Sequence, residues 1–349
     1  MTPPAPFTFL PLGAIIQTFL VGKSDTNIVQ GFPSQELYEK YNAPFFGETI
    51  GRVCNRIKDA KLEANGQTYT LAANNGTNNL HGGNKGWGKQ IWKGPEPIGI
   101  REIPGLEGAK VEGGESVKFT LISKDGDEGF PGAVEATVIY TAGTQTSLAG
   151  KEERVLAIEY EATLVDEKVQ ETVINMTNHT YFNLSGNPTI EGTEVTLMSN
   201  KHLPLREDGI PTGDAPKEYP GIECCKPFIL GAQEPDVDDC FVFPQAPNSI
   251  PLDTRSTPLK SLIKASHEQT GIQLEVLSTE PAFQFYTGKY IDVPAVDGVP
   301  ARGPRSGFCV EPSRWVDAAG REGWRGQVLL KKGDVYGSRT VYKASCNKD

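Results

Sequence analysis

Across the middle of this chain apolar side chains recur at every second position. The runs are Val117, Phe119 and Leu121; Val134, Ala136, Val138 and Tyr140; Leu156, Ile158, Tyr160, Ala162 and Leu164; and Ile272, Leu274 and Val276. A period of two sends alternate side chains to opposite faces of an extended backbone, so each run describes a strand with one buried and one solvated face. Hardly any stretch of ten residues carries a helical period. Ser34 to Asn42 is the short exception, with Leu37, Tyr38 and Tyr41 at helical spacing and Ser34 as a cap. The 38 glycines and 26 prolines among 349 residues punctuate the strands and mark turns. These patterns predict an all-β chain folded as a large antiparallel β-sandwich with few short helices, rather than a parallel α/β sheet.

The apolar run from Gly13 to Val21 reads as a first strand. No Lys or Arg precedes it, and Pro3, Pro4, Pro6 and Pro11 interrupt its approach, which argues against a signal peptide. The Gly/Pro-rich or charged stretches 95–115, 233–253 and 292–307 read as loops within one domain spanning residues 1–349, with a candidate boundary only near 143–151. A net charge of −10 opposes nucleic-acid backbones and anionic membranes and leaves a neutral or polar small ligand as the better partner. The six cysteines form no C-x-x-C pair and read as reduced thiols. N-x-S/T sequons begin at Asn75, Asn175, Asn178 and Asn183. Three of them crowd one candidate site segment, where glycans would block it, which favours a cytoplasmic location.

That segment is Asn175-Met-Thr-Asn-His-Thr-Tyr-Phe-Asn-Leu-Ser-Gly186. If extended, it puts His179, Tyr181 and Asn183 on one face and Thr180 and Phe182 on the other. Histidine can give or take a proton near neutral pH, so His179 is a candidate acid or base, with a hydrogen-bonded structural histidine as the alternative. In Gly51-Arg-Val-Cys-Asn-Arg-Ile57 an amide, Asn55, stands beside Arg56, whose donors suit a hydroxyl or a developing oxyanion; a surface ion pair is the alternative. In Asn78-Asn-Leu-His-Gly-Gly83 two glycines let backbone approach a ligand that His81 could contact, or they form a plain turn. Gly307-Phe-Cys-Val-Glu-Pro-Ser-Arg-Trp315 delivers Glu311 into a Pro-marked turn, as a general base or as a surface carboxylate. Pro235-Asp-Val-Asp-Asp-Cys-Phe241 lacks the glycine turn and terminal Glu of a calcium hand, and one of its Asp residues holding ligand hydroxyls is the better reading. Signals for serine nucleophiles, phosphoryl transfer, dinucleotides and zinc hydrolases are missing, which leaves acid/base work on a polyol.

Together and in this order, these segments resemble the aldose 1-epimerase (galactose mutarotase) family. The matching patterns are G-R-V-x-N-R-I, N-x-L-H-G-G, N-H-[ST]-Y-F-N-L and Q-F-Y-T-G, the last at Gln284 to Gly288. Asp125 to Gly132 and the Leu-Pro and Ile-Pro-Thr-Gly signatures between Leu203 and Gly213 add to the likeness. The resemblance implies a galactose-mutarotase-type sandwich with a cleft for a free aldohexose, His179 as general acid and Glu311 as general base. Asn55, Arg56, His81, Asp238 and Gln284 then contact the sugar, and neither metal nor other cofactor is needed. Two departures stand out. The family's D-H-x-F reads Asp238-Asp239-Cys240-Phe241, so Asp238 is preferred by its spacing from Phe241 while Asp239 stays open; and E-x-Q becomes Glu311-Pro312-Ser313.

The implied chemistry removes the C1 hydroxyl proton and protonates the ring oxygen, opening the ring so that reclosure gives the other anomer. An ionised Glu and a protonated His near neutral pH, on opposite sides of the sugar, fit those roles. Trp87, Trp315 or Tyr181 could face the sugar ring, with core packing as the better reading for any one of them. A hexose-6-phosphate 1-epimerase would need a basic pocket, and only Arg52, Arg56 and Arg314 lie near the motifs. A non-catalytic sugar binder and a glycosidase using Asp238 with Glu311 are further alternatives. Neither the preferred aldose nor the choice between monomer and weak dimer follows from these residues.

Overall fold

The structure is a computed structural model, and it describes residues 5–107, 111–147, 150–213 and 215–348. Pro3, Pro4 and parts of the 95–115 and 143–151 stretches lie outside these. Each period-two run forms a strand. Val134–Thr146 and Glu152–Leu164 pair antiparallel in continuous register from Val134↔Leu164 to Thr146↔Glu152, so the 143–151 stretch joins two arms of one hairpin. They sit in a nine-stranded sheet that runs from an edge at Pro227–Ile229, through Thr193–Leu197, Lys260–His267, Ile272–Ser278 and Val335–Cys346, to Lys93–Ile100 at the other edge. The 95–115 stretch is therefore less of a loop than expected, since Lys93–Ile100 and Glu112–Ser123 pair across it. Pro95 and Pro97 are tolerated there because an edge strand needs ladder donors on one side only.

A second, six-stranded sheet contains Tyr181–Phe182, Phe308–Ser313, Ala282–Tyr286, Asp238–Val242, Lys201–His202 and Lys217–Glu218, in that spatial order. One apolar cluster draws on both sheets, with Val138, Tyr140, Ile158 and Tyr160 from the larger and Phe241, Phe283, Phe285, Phe308 and Val310 from the smaller. Its burial is the main force holding the layers together. Alternation then fixes what the smaller sheet's opposite face presents. With Phe241, Phe283, Phe285, Phe308 and Val310 in the core, Asp238, Gln284, Cys309 and Glu311 must point the other way.

The expected helix is Gln35–Tyr41, with Leu37 and Tyr38 buried; Ser34 is its N-cap residue, though its side chain makes no capping bond. The expected first strand is Ile15–Val21. The His179 segment is not one continuous strand. Thr177–Asn178 pairs with Thr49–Ile50, whereas Tyr181–Phe182 pairs with Phe308 and Cys309, so the chain changes partners at His179 and Thr180. Backbone bonds still hold the junction. His179 N–H donates to Glu48 O at 2.8 Å and Gly47 N–H donates to His179 O at 3.1 Å. The asparagines of the three clustered sequons are all buried, leaving no room for a glycan in the folded chain. No helix among the described residues is long and apolar enough to cross a membrane.

Candidate active site

A cleft of about 650 Å³ opens on the exposed face of the six-stranded sheet, and all seven site residues expected from the sequence line it: Asn55, Arg56, His81, His179, Asp238, Gln284 and Glu311. Three come from adjacent strands in register. Gln284 faces Glu311 across one pair and Cys240 across the other, which sets Asp238 two residues away on the same face. Asp239 points to the opposite face, where its carboxylate meets His202 Nδ1 at 3.1 Å. The alternative left open by the altered D-H-x-F pattern is thus resolved in favour of Asp238 as the cleft residue. Asp238→Asn is expected to weaken sugar binding by about tenfold or more, the scale of a hydrogen bond to a charged group. Asp239→Asn should leave KM within about twofold, as its partner lies outside the cleft. Similar KM changes in both variants would contradict this placement.

Asn55 and His81 reach the cleft from two turns that grip each other. His81 N–H donates to Asn55 O at 2.9 Å, and Asn55 N–H donates to His81 Nδ1 at 3.2 Å. Both residues hold positive φ, +54° and +51°. Gly82 follows at φ +82°, where a Cβ would lie 2.0 Å from Gly51 O, so the H-G-G pattern has a steric cause. The Asp125 to Gly132 motif supports the same turn from outside, because the Glu128 carboxylate accepts from Asn84 N–H and Lys85 N–H at 2.8 and 2.9 Å. A polar chain then crosses the cleft floor. Arg56 donates to Asn75 Oδ1 (3.1 Å) and Asn55 Oδ1 (3.3 Å), Asn55 Nδ2 to Gln284 Oε1 (3.2 Å), and Gln284 Nε2 to Asp238 Oδ1 (2.7 Å).

His179 and Glu311 are in contact rather than on opposite sides, with Nε2 to Oε1 at 3.4 Å. His179 Nδ1 lies 3.5 Å from the Cys309 thiol. Burial raises Glu311 to about 8, reinforced by the Asp238 charge and opposed by Arg56. Burial likewise lowers His179 to about 3, with Lys89 adding to the effect. This corrects the expectation of an ionised Glu beside a protonated His: before a sugar binds, near neutral pH, the pair holds one proton, on Glu311. Desolvation disfavours either charge, and a single proton on the carboxyl leaves both groups neutral. Asp238 is raised by burial as well.

One donor atom from each of His81, His179 and Glu311 lies within 4.8 Å of the others, a set that resembles a two-His, one-carboxylate metal site. The tautomer of His81 works against that use. Its Nδ1 accepts from Asn55 N–H, so the neutral ring carries its proton on Nε2, which then donates a hydrogen bond and offers no lone pair to a cation.

Other residues singled out in the sequence divide between the cleft and the core. Arg52 is buried and donates to Ser123 Oγ, Lys124 O and Pro131 O, bracing the Asp125 to Gly132 turn. Arg314 is buried in an ion pair with Glu280. Neither lines the cleft. Asn183 donates to Asn187 O and Ser306 O instead of facing the site. Tyr181 does line the cleft, whereas Trp87 and Trp315 sit in apolar clusters. Phe45, Tyr286, Tyr290 and Arg206 line it without having been anticipated. Tyr286 lies within the Q-F-Y-T-G segment, two residues after Gln284, so its face could have been read from the period; Phe45 had no such signal.

A family model described as aldose 1-epimerase matches residues 6–343. The chain is 37% identical over 336 residues to the bifunctional protein gal10 of Schizosaccharomyces pombe, covering 95% of this chain and 42% of that protein. The chain thus spans less than half the length of that bifunctional relative. It is 35% identical over 324 residues to the galactose mutarotase of Homo sapiens, covering 92% of this chain and 84% of that one. Among solved structures, a GalM/aldose epimerase homologue from C. elegans superposes with a TM-score of 0.77 at 26% identity, covering 97% of this chain and 95% of its own.

Proposed function

The chain belongs to the aldose 1-epimerase family, and we propose that it interconverts the α and β anomers of free aldohexoses such as galactose and glucose. The observation that carries this reading is the buried His179–Glu311 contact at 3.4 Å inside a cleft otherwise lined with hydrogen-bonding groups. O1 and the ring oxygen are both bonded to C1, so two groups in contact with each other can address both. Sugar hydroxyls donating to the carboxylate, together with Arg56, favour the ionised form of Glu311 and move the pair's single proton to His179. Glu311 then takes the proton from O1 while His179 Nε2–H protonates the ring oxygen. The C1 to ring-oxygen bond breaks and the aldehyde forms. After rotation about C1–C2, the aldehyde recloses with both transfers reversed, so the pair's single proton, held on Glu311 in the open form, returns to His179. Arg56, Asn55, His81, Asp238 and Gln284 hold the hydroxyls, and His81 does so as a donor from Nε2. Fixing the anomeric centre against the pair supplies the entropic part of the rate gain.

The charge of the cleft argues against a sugar phosphate as substrate. Arg56 and Arg206 face Glu207, Asp208 and Asp238 beside the protonated Glu311, and Arg206 is already paired with Asp208 at 3.0 Å. The buried sequon asparagines support a cytoplasmic location.

Polarimetry of freshly dissolved α-D-galactose and α-D-glucose in a non-catalytic buffer tests the function. Acceleration to the same final rotation is expected, and the ratio of rates ranks the sugars. Folded protein that accelerates neither sugar would contradict the proposal, and acceleration with α-D-glucose 6-phosphate alone would move the substrate to the phosphate. The pH profile follows from the proton count. The pair keeps one proton between about 3 and about 8, so kcat/KM should stay level from mildly acidic to neutral pH. It should fall above about 8, where the proton is lost and no acid remains. Activity rising through that range would mean that only the ionised Glu311 is required.

A further inference from the structure

The loop of residues 42–48 is tied together more closely than a connection between a helix and a strand requires. Asn42 donates through Nδ2 to Glu48 Oε1 at 2.7 Å and to Phe46 O at 3.2 Å, and it accepts from Phe46 N–H at 2.8 Å. Lys89 Nζ donates to Asn42 O at 2.6 Å and to Glu48 Oε1. Asn42 and Glu48 are both buried. At the apex Phe45 holds φ +68°, the left-handed region that an aromatic residue rarely adopts. None of these hydrogen bonds needs an aromatic side chain at position 45.

The ring accounts for the strain. Its centroid lies 4.9 Å from that of His81 and 5.6 Å from that of His179, and Lys89 Nζ sits 4.8 Å from it on the ring face. Phe45 is thus the apolar member of the cleft wall that touches both imidazoles, held against them by a cation–π contact and the Asn42–Glu48–Lys89 bonds. The backbone of His179 is bound into the same loop through Gly47 and Glu48.

We propose that Phe45 is a positioning residue for the reaction: pinned by Lys89, its ring excludes water from His179 and His81 and keeps the His179 ring directed at Glu311. This rests on the acid role given to His179 above. The groups facing His179 are Glu311 and the Cys309 thiol from Phe308–Ser313, the phenol of Tyr181, the ring of His81, and Lys89 beyond Phe45. Glu311 holds its own proton where His179 titrates, and Lys89 opposes a charge on His179 less than burial does, so the low affinity of His179 for a second proton is chiefly a matter of dryness. Phe45 is one wall of that dryness.

The test is histidine-resolved NMR titration of the full chain as wild type, Phe45→Ala and Phe45→Leu, with His179→Asn assigning the signal, alongside mutarotation kinetics. In Phe45→Ala the His179 midpoint should rise by about one pH unit or more toward the ordinary ~6.5. Its kcat should fall about tenfold or more, with KM moving less, since the loss is in proton transfer rather than in sugar contacts. Phe45→Leu keeps apolar bulk and should recover most of both readouts, and it replaces the alanine variant if that one does not fold. An unchanged His179 titration in a folded Phe45→Ala, or wild-type kcat, overturns the proposal. The titration needs no turnover. If the wild type fails to accelerate mutarotation, the functional reading falls while the water-exclusion claim is still decided by the midpoint.

Discussion

Glu311→Gln is expected to lower turnover by about a hundredfold or more and at the same time to stabilise the folded protein at neutral pH. Both effects have one cause. The folded-state carboxyl is raised from 4.5 to about 8 by burial and the Asp238 charge. Below pH 4.5 folded and unfolded chains both carry the proton and nothing is lost. As pH rises from there toward about 8 the unfolded chain ionises while the folded one does not, so stability declines by up to ~1.4 kcal/mol per pH unit. At pH 7 the accumulated penalty is about 3 kcal/mol, and a neutral Gln escapes it. Urea unfolding of both proteins at pH 5 and pH 7 would measure the gap, which should widen with pH. A gap that is equal at both pH values, or turnover that survives, would count against this account of Glu311. His179→Asn should match the kinetic loss with the opposite pH dependence. The folded imidazole is lowered from 6.5 to about 3, so wild-type stability falls as pH drops below about 6.5, and the variant's gain appears on the acid side.

Arg314→Met is expected to destabilise the fold by about 3–5 kcal/mol, the range for removing one partner of a buried ion pair. Arg314 is fully buried. It pairs with Glu280 and donates to Leu252 O at 2.7 Å, Gln327 O at 3.2 Å and Gly337 O at 3.2 Å. Met would remove the side-chain donor to Gln327 O and one donor each from Leu252 O and Gly337 O, which keep Gly337 N–H and Thr254 N–H, and would leave the Glu280 carboxylate, among the described residues, with the Tyr336 hydroxyl at 3.3 Å. A denaturation midpoint close to wild type, corresponding to less than about 1 kcal/mol, would show that water or rearrangement replaces the pair. Adding Glu280→Gln should restore part of the loss, because the uncompensated charge goes with it. The position also bears on the site. Arg314 N–H donates to Asn175 Oδ1 at 3.0 Å, so the end of the Glu311 strand is tied to the segment that carries His179.

Much of the cleft could be read from the chain because its motifs hold local geometry as well as chemistry. His81 comes with the glycines that its turn requires, and Glu311 and Gln284 sit on strands whose apolar neighbours, Val310 and Phe285, fix which way they point. Residues that serve the site from outside it were harder to judge. Arg52 and Arg314 have the composition of anion binders, but their guanidinium groups are consumed by backbone carbonyls far away in sequence. Phe45 carries no local mark at all; only its contacts with His81 and His179, from two other segments, give it a part.

The sequence by itself determined the period-two strands and their inward and outward faces, because side-chain alternation is a property of neighbouring residues, and the resemblance of its motifs to the aldose 1-epimerase family named six of the polar side chains that line the cleft and left the seventh between Asp238 and Asp239. Tertiary structure alone decided that Asp238 and not Asp239 enters the cleft, that the strand carrying His179 changes partners beside it, and where the pair's proton rests. Strand register sets the first two across chain distances that no local pattern spans. The third is set by desolvation, which depends on every atom that excludes water from Glu311 and His179, wherever in the chain it originates.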